Sequence, residues 1–346
     1  MNPELLDGVS TAVDAAFAEA GDTTRIAALK VLEGGHSGIT LSARTTGGSA
    51  PDEVVIKVAP HGRPPRGRHD VLRQADVLDA LADVDDLAVP RVLLRGYGEW
   101  TFYVMERCDG EAVEPVLDAS TRVFESDTIR RRAEAAARML GVLHNRAPEA
   151  LVDSDSGAVD LAAEIDRWAT VAAAAGDEHG LATIPDALRA TMPPVVEPPV
   201  LVHGDYRLGN VLFDGVRPTG IIDWEIWTVT TPGVDLGWFL AFCDPGLFPG
   251  IGAPVHGMPT AGELLDQYYS TAGGRIADME WFHAFGRFKM AAIMAHNLRR
   301  HREGRHIDPF QDELPPTIAA LARSSRSILD GHAVDEQART TTGARS

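Results

Sequence analysis

Cysteine is almost missing from this chain: its 346 residues contain two, Cys108 and Cys243. Two thiols cannot build a disulfide scaffold, and their scarcity points to a reducing, cytoplasmic compartment. Long apolar runs are missing as well. No stretch approaches the ~20 residues of a membrane span, and Asn2 to Ala20 does not have the form of a signal peptide. Leu5, Leu6, Val9, Val13 and Phe17 recur there at helical spacing among acidic residues, with Gly21 at the end. Basic residues are the minority, 32 Lys and Arg against 50 Asp and Glu, for a formal charge of −18. A nucleic-acid partner needs a basic face to neutralise phosphates, so that class is disfavoured. There is no internal repeat, no G-x-S-x-G, no HExxH and no Walker motif, which sets the commonest hydrolase signatures aside. Low complexity is confined to Ala172–Ala175 and the polar tail from Glu336 to Ser346, expected to be disordered.

What remains is sufficient for two cores. A chain this long exceeds the size at which one core keeps growing, and 45% hydrophobic content can fill two lobes of about 100 and 220 residues. The most informative stretch runs from Val200 to Glu225. Val200-Leu201-Val202 is an apolar run before the turn His203-Gly204-Asp205, while Val211-Leu212-Phe213 and Gly220-Ile221-Ile222 flank a turn over residues 214–219. This predicts a hairpin. If Leu212 faces Ile221 and Val211 faces Ile222, Asn210 stands opposite Asp223, and opposed Cβ atoms lie roughly 5 Å apart. An amide oxygen and a carboxylate so placed suit Mg²⁺, which completes its shell with phosphate oxygens and water. Asp205 is then left to act as a base.

His203-x-Asp205-x₄-Asn210 followed by Asp223 resembles the catalytic loop and metal-binding segment of protein-kinase-like enzymes. With Trp224-Glu225 and Gly233-Val234-Asp235-Leu236-Gly237-Trp238 beyond, the chain is most similar to the aminoglycoside phosphotransferase and choline kinase branch. Within that branch it resembles the actinobacterial phosphotransferases related to the kinase domain of acyl-CoA dehydrogenase family 10 and 11 proteins. The resemblance implies an α+β, bilobal, protein-kinase-like fold: a small N-lobe with an antiparallel sheet and one helix, and a larger, mainly helical C-lobe. The expected division is 1–107, 108–333 and a tail over 334–346. Asp235 is implied as an acceptor of catalytic-loop N–H groups, Glu225 as a support to the metal through water, His203 as a structural residue and Arg207 as a group reaching the γ-phosphate.

The N-terminal half carries the parts such an enzyme needs, in order. Gly34, Gly35 and Ser37 lie in a small-residue turn between strand-like runs, where backbone N–H groups can approach phosphate. Lys57 interrupts the apolar strand Val54–Val58, and the phosphates of ATP would give its charge a partner. Asp70 to Leu81 has helical spacing. Arg91–Leu94 and Thr101–Met105 read as strands; by resemblance Met105 is the gatekeeper, and the Glu106 carbonyl and Cys108 amide contact adenine. Two departures stand out: Gln74 where the resemblance implies a glutamate pairing with Lys57, and Thr230-Thr231-Pro232 in place of Gly-Asp-Pro.

The expectation is an ATP- and Mg²⁺-dependent phosphotransferase acting on a small hydroxylated substrate, aminoglycoside-like or hydroxyacyl-CoA-like, as a monomer or homodimer without nucleic-acid or membrane partners. The alternative from another class is a nucleotide-binding pseudokinase, against which the retention of Lys57, Asp205, Asn210 and Asp223 argues. An aminoglycoside-like polyol amine would call for an acidic pocket between the later helices. Arg63, Arg66 and Arg68 are the basic residues available for CoA phosphates. Asp266, Glu280, His283, His296 and Asn297 are further conceivable contacts.

Overall fold

The computed structural model describes residues 3–32, 38–60, 70–147, 151, 159–194 and 198–343. It divides into two compact units. One comprises Met1–Glu111, Leu212–Asp214 and Pro218–Trp227; the other comprises Ala112–Val211, Gly215–Arg217 and Thr228–Ser346. Gly34, Gly35 and Ser37, and the arginines 63, 66 and 68, lie outside the described residues.

The first unit is built on five antiparallel strands, β1 (Arg25–Val31), β2 (Ile39–Thr46), β3 (Glu53–Val58), β4 (Val92–Gly96) and β5 (Phe102–Glu106), in the order β1-β2-β3-β5-β4. Side chains alternate faces along a strand. Val54, Ile56 and Val58 of β3 therefore share one face with Leu41, Ala43, Phe102 and Val104, and helix α1 (Pro3–Glu19) covers it with Val9, Val13 and Phe17. Lys57 belongs to the other set, in register with Tyr103. Helix α2 (Val71–Leu81) lies on that side and meets Tyr103 through Gln74; the Asp70 carboxylate caps it by accepting from the Leu72 and Arg73 amides. Among the described residues, α1 and α2 thus cover the two faces of this sheet, both of which are apolar.

The hairpin forms, but not as spaced in the sequence. Strands β7 (Val211–Asp214) and β8 (Arg217–Ile221) are joined by a two-residue turn at Gly215-Val216, with Gly215 at a φ of 59°. Asn210 closes a 3₁₀ turn before β7, and Asp223 follows β8 in the left-handed conformation at φ 68°. Neither is a ladder residue. The expected cross-strand opposition of Asn210 and Asp223 is therefore corrected: the tighter turn starts the ladder earlier and changes its register, and the strands end at Val211 and Ile221, short of both residues.

The second unit is mainly helical, with α3 (Pro115–Asp118), α4 (Ser126–Arg146), α5 (Leu161–Ala175), α6 (Ile184–Ala190), α7 (Gly233–Phe242), α8 (Ala261–Tyr269), α9 (Met279–Arg302) and α10 (Pro315–Gly343). Every residue of α7 is buried, and α9 packs against α5, α7 and α10. A helix apolar all round is a core helix. The catalytic-loop strand β6 (Val200–Val202) pairs antiparallel with β9 (Thr228–Thr230). Thr230 sits there as a buried strand residue, its hydroxyl donating to the Val159 carbonyl at 2.7 Å. Helix α10 continues to Gly343, and Ala, Glu, Gln and Arg over 336–339 are competent helix formers whatever their polarity. Among the described residues, no helix is long and apolar enough to cross a membrane. The α+β class is as the sequence predicts, a sheet unit followed by a helical one.

Candidate active site

In the first unit the chemistry centres on Lys57. Its ammonium, almost wholly buried on β3, donates to Asp223 Oδ1 at 3.0 Å. A charge placed there needs a partner, and the partner is one of the two proposed metal ligands. The helix α2 residue expected to pair with Lys57 does not: Gln74 Oε1 accepts from the Tyr103 hydroxyl at 3.5 Å, and Gln74 Nε2 is buried without a partner. Burial, with the Asp223 charge second, raises the Tyr103 pKa and keeps the phenol protonated. Met105 is buried near the end of β5, and the Glu106 amide donates to the Arg91 carbonyl at 2.9 Å. Cys108 packs against Gly220, where an added Cβ would lie 2.9 Å from its sulfur, and burial pushes the thiol up to about 11. It is a packing thiol, as its neighbours Glu106 and Asp109 reinforce.

The second unit fixes the catalytic loop from several sides. Asp235, fully buried on α7, accepts from the backbone amides of His203 at 2.6 Å and Gly204 at 2.8 Å, and meets His144 Nε2 at 3.3 Å. Burial alone would raise its pKa; the hydrogen bond and charge from His144, then His203 and Lys289, outweigh that and hold it below the ordinary value. His144 Nδ1 lies 2.9 Å from the Tyr268 hydroxyl, so Nε2–H facing Asp235 and Nδ1 accepting from Tyr268 satisfies both ring nitrogens. His203 Nδ1 accepts from the Asp205 amide at 3.2 Å, which makes it structural.

Asp205 itself is gripped at both oxygens. Asn210 Nδ2 donates to Oδ2 at 2.9 Å and to the Asp205 carbonyl at 2.8 Å, while Trp238 Nε1 donates to Oδ1 at 2.9 Å. Arg207 Nε stands 3.5 Å from Oδ1, and its other arm meets Glu114 Oε2 at 3.2 Å. Glu114 also accepts from the Gly209 amide at 3.1 Å. Behind the loop, Lys289 is fully buried on α9. Its ammonium donates to the Gly204 carbonyl and lies 4.2 Å from the Trp238 ring centroid and 5.0 Å from that of Trp168. Burial lowers its pKa, opposed by Glu164, Asp205 and Asp235.

Structure thus brings together Asp205, Arg207 and Asn210 in one unit, and Lys57 and Asp223 in the other. Sequence reasoning missed Glu114, Lys289 and the indole of Trp238. Lys289 had a signal of the kind that exposed Lys57, a lone lysine in the apolar run Phe288 to Ala292. Glu114 had none. Of the later-helix candidates, His283 lines a cavity, whereas Asp266 and Glu280 are exposed. No cluster of three His, Cys, Asp or Glu able to cage a metal exists among the described residues.

A sequence model of the phosphotransferase enzyme family (APH) matches residues 28–282. The chain belongs to this phosphotransferase family. Two relatives are similar in sequence: a provisionally named acyl-CoA dehydrogenase, IBR3, of Arabidopsis thaliana, 27% identical over 317 residues, and acyl-CoA dehydrogenase family member 11 of Homo sapiens, 26% identical over 258 residues. The matches take in 81% and 69% of this chain but 38% and 32% of theirs, so the chain spans about a third of the length of these relatives. Among solved structures, a provisionally assigned aminoglycoside phosphotransferase from Ralstonia eutropha JMP134 superposes with a TM-score of 0.75 at 21% identity, covering 93% of this chain and 98% of its own. The ADP-bound aminoglycoside phosphotransferase APH(2'')-Ib gives 0.58 at 15% identity, over 94% and 99%. At these identities the structures establish the fold of the phosphotransferase family.

Proposed function

We propose that this phosphotransferase moves the γ-phosphoryl group of ATP to a hydroxyl of a small molecule, with Asp205 as the base. The observation that carries the reading is the setting of Asp205: both oxygens are oriented by hydrogen bonds, Arg207 is beside it, and 22% of the side chain stays open to a substrate. The substrate hydroxyl donates to Asp205 and gives up its proton as its oxygen forms the new bond to phosphorus. The bond from phosphorus to the bridging oxygen breaks, and ADP leaves with the electron pair. Such transfer is largely positioning and charge stabilisation, so a carboxylate held still serves better than a strong base. Arg207 supplies positive charge at the transferring group, and Asp235 with Lys289 keeps the loop backbone rigid.

Unit one, with Lys57 and the strand ending at Met105, Glu106 and Cys108, is the nucleotide-binding lobe in this proposal; unit two is the catalytic lobe. By donor type, the amide oxygen of Asn210, whose nitrogen already serves Asp205, and the carboxylate of Asp223 would each suit Mg²⁺ arriving with a nucleotide. Mg²⁺ would supply positive charge to the phosphate oxygens. The relatives' names suggest an aminoglycoside-like or hydroxyacyl-CoA-like acceptor, and the scarcity of cysteine a cytoplasmic location. The test is ADP release with ATP and Mg²⁺ against both acceptor classes. Asp205→Asn is expected to lower turnover by about 10²–10⁴-fold while nucleotide binding persists. Turnover unchanged in that variant would remove Asp205 from the mechanism.

A further inference from the structure

A cavity of about 350 Å³ lies in the helical unit between α7, α9 and the connector leading into α8. Its size is at the small end of the range for ligand sites. Leu240, Pro254, Val255, Met258 and Pro259 give it an apolar wall. Its polar groups are few: Asp244 from the end of α7, and His283 and Arg287, one turn apart on α9.

Their pairing decides what the cavity can hold. Asp244 is the carboxylate lining it, and Arg287 faces that carboxylate at 3.8 Å, so a cationic ligand would meet the arginine's charge beside the carboxylate. Arg287 is only loosely satisfied: besides that long pair it donates to the Ser324 hydroxyl at 2.7 Å, and burial pulls its pKa down. A half-buried cation with so distant a counter-ion gains from an anionic or carbonyl ligand group. His283 Nε2 is buried with no protein partner, and burial lowers the ring's pKa and favours its neutral form. A ligand group would satisfy it.

The cavity shares helix α7 with groups that hold the base. Gly237 lines it, and the next residue, Trp238, holds Asp205 through its indole; Cys243 lines it, and the preceding Phe242 ring lies 5.5 Å beneath the Arg207 guanidinium. We infer that this cavity is the acceptor pocket, and that its ligand is a mostly apolar hydroxylated molecule with one carboxylate or carbonyl group on Arg287 and His283. The word acceptor rests on the phosphotransfer reading above; the ligand class rests on the cavity alone.

Calorimetric titration of the full chain with hydroxyoctanoate, hydroxyoctanamide and kanamycin, followed by ADP release with ATP and Mg²⁺, separates the two. The acid is expected to bind about tenfold more tightly than the amide, the effect of one charge-assisted hydrogen bond, with kanamycin weakest. Arg287→Gln should abolish the preference for acid over amide. Ala241→Trp, which fills the cavity, should weaken the acid by at least about tenfold and leave ATP binding intact; Met258→Trp on the connector does the same if Ala241→Trp fails to fold. Kanamycin binding more tightly than the acid, no binding of the acid, or an affinity indifferent to both filling variants overturns the ligand class. The expected binding pattern without ADP release keeps the ligand class and overturns the acceptor role.

Discussion

Glu114 shows how a single side chain can carry opposed demands into a catalytic loop. Burial pushes its carboxyl up to about 7, and the Arg207 charge and the Gly209 amide oppose that without cancelling it. Because the folded value exceeds the ordinary 4.5, the stability contributed is complete below about pH 4.5 and is lost as pH rises through about 7, on the order of 3 kcal/mol. Function runs the other way, since only the ionised form pairs fully with Arg207. The wild type is therefore expected to lose stability and gain turnover across that window. In Glu114→Gln both dependences should flatten, with the variant more stable than wild type in urea melts above about pH 7, slower than wild type there and similar to it well below; a turnover profile that keeps its limb near neutrality would assign the limb elsewhere. Nothing in the sequence marks this residue, which sits between Val113 and Pro115 with no motif spacing. Lys57 was legible because one charge in an apolar strand is conspicuous, whereas a glutamate in a loop is ordinary until its burial is known.

At the level of elements, the catalytic loop is only as rigid as the contact between α7 and α9. That contact depends on small residues: a Cβ on Gly286 would sit 2.7 Å from the Gly237 backbone, and one on Gly237 would sit 2.2 Å from the Phe282 carbonyl oxygen. Gly286→Ala is expected to cost about 1–3 kcal/mol through overpacking, read as a lower urea midpoint, and to reduce turnover because Trp238 moves relative to Asp205. Lys289 tests the same contact by charge. Lys289→Met keeps the volume and removes a buried ammonium, yet leaves the Gly204 carbonyl unpaired, a loss of about 1–3 kcal/mol partly offset by the desolvation avoided. Tryptophan emission should change as the cation leaves the rings of Trp168 and Trp238, and kcat should fall more than KM for ATP. Lys289→Arg keeps the charge and can stack on the rings, so it is expected to restore part of the loss. Periodicity made α1 and α2 readable to within a residue or two, and short apolar runs did the same for β3 and β5. The hairpin register was not readable: Asp214, Gly215 and Pro218 all suit turns, and only the folded backbone shows that the turn needs two residues.

For the whole molecule, the decisive fact is that each unit already satisfies its own reactive groups. Lys57 is paired with Asp223 in the sheet unit, and Asp205 is held by Asn210, Trp238 and Arg207 in the helical one. In the proposed reaction ATP and Mg²⁺ would have to replace the pair of Lys57 and Asp223, with the phosphates facing the ammonium and the metal facing the carboxylate. Exchanging one pair for two makes nucleotide and metal binding interdependent. Thermal melts can read this, because a ligand present at a hundredfold over its Kd stabilises the folded state by about 2.7 kcal/mol. ATP with Mg²⁺ is expected to raise the Tm of the wild type more than ATP with EDTA does. In Asp223→Asn that metal-dependent increment should vanish while a smaller ATP shift remains, since Lys57 is then released to phosphate. Lys57→Met should show the reverse, a weakened ATP shift that still depends on the metal. Equal shifts with and without Mg²⁺ in the wild type would mean that Asp223 serves Lys57 alone, and that the carboxylate for the metal lies elsewhere in the chain.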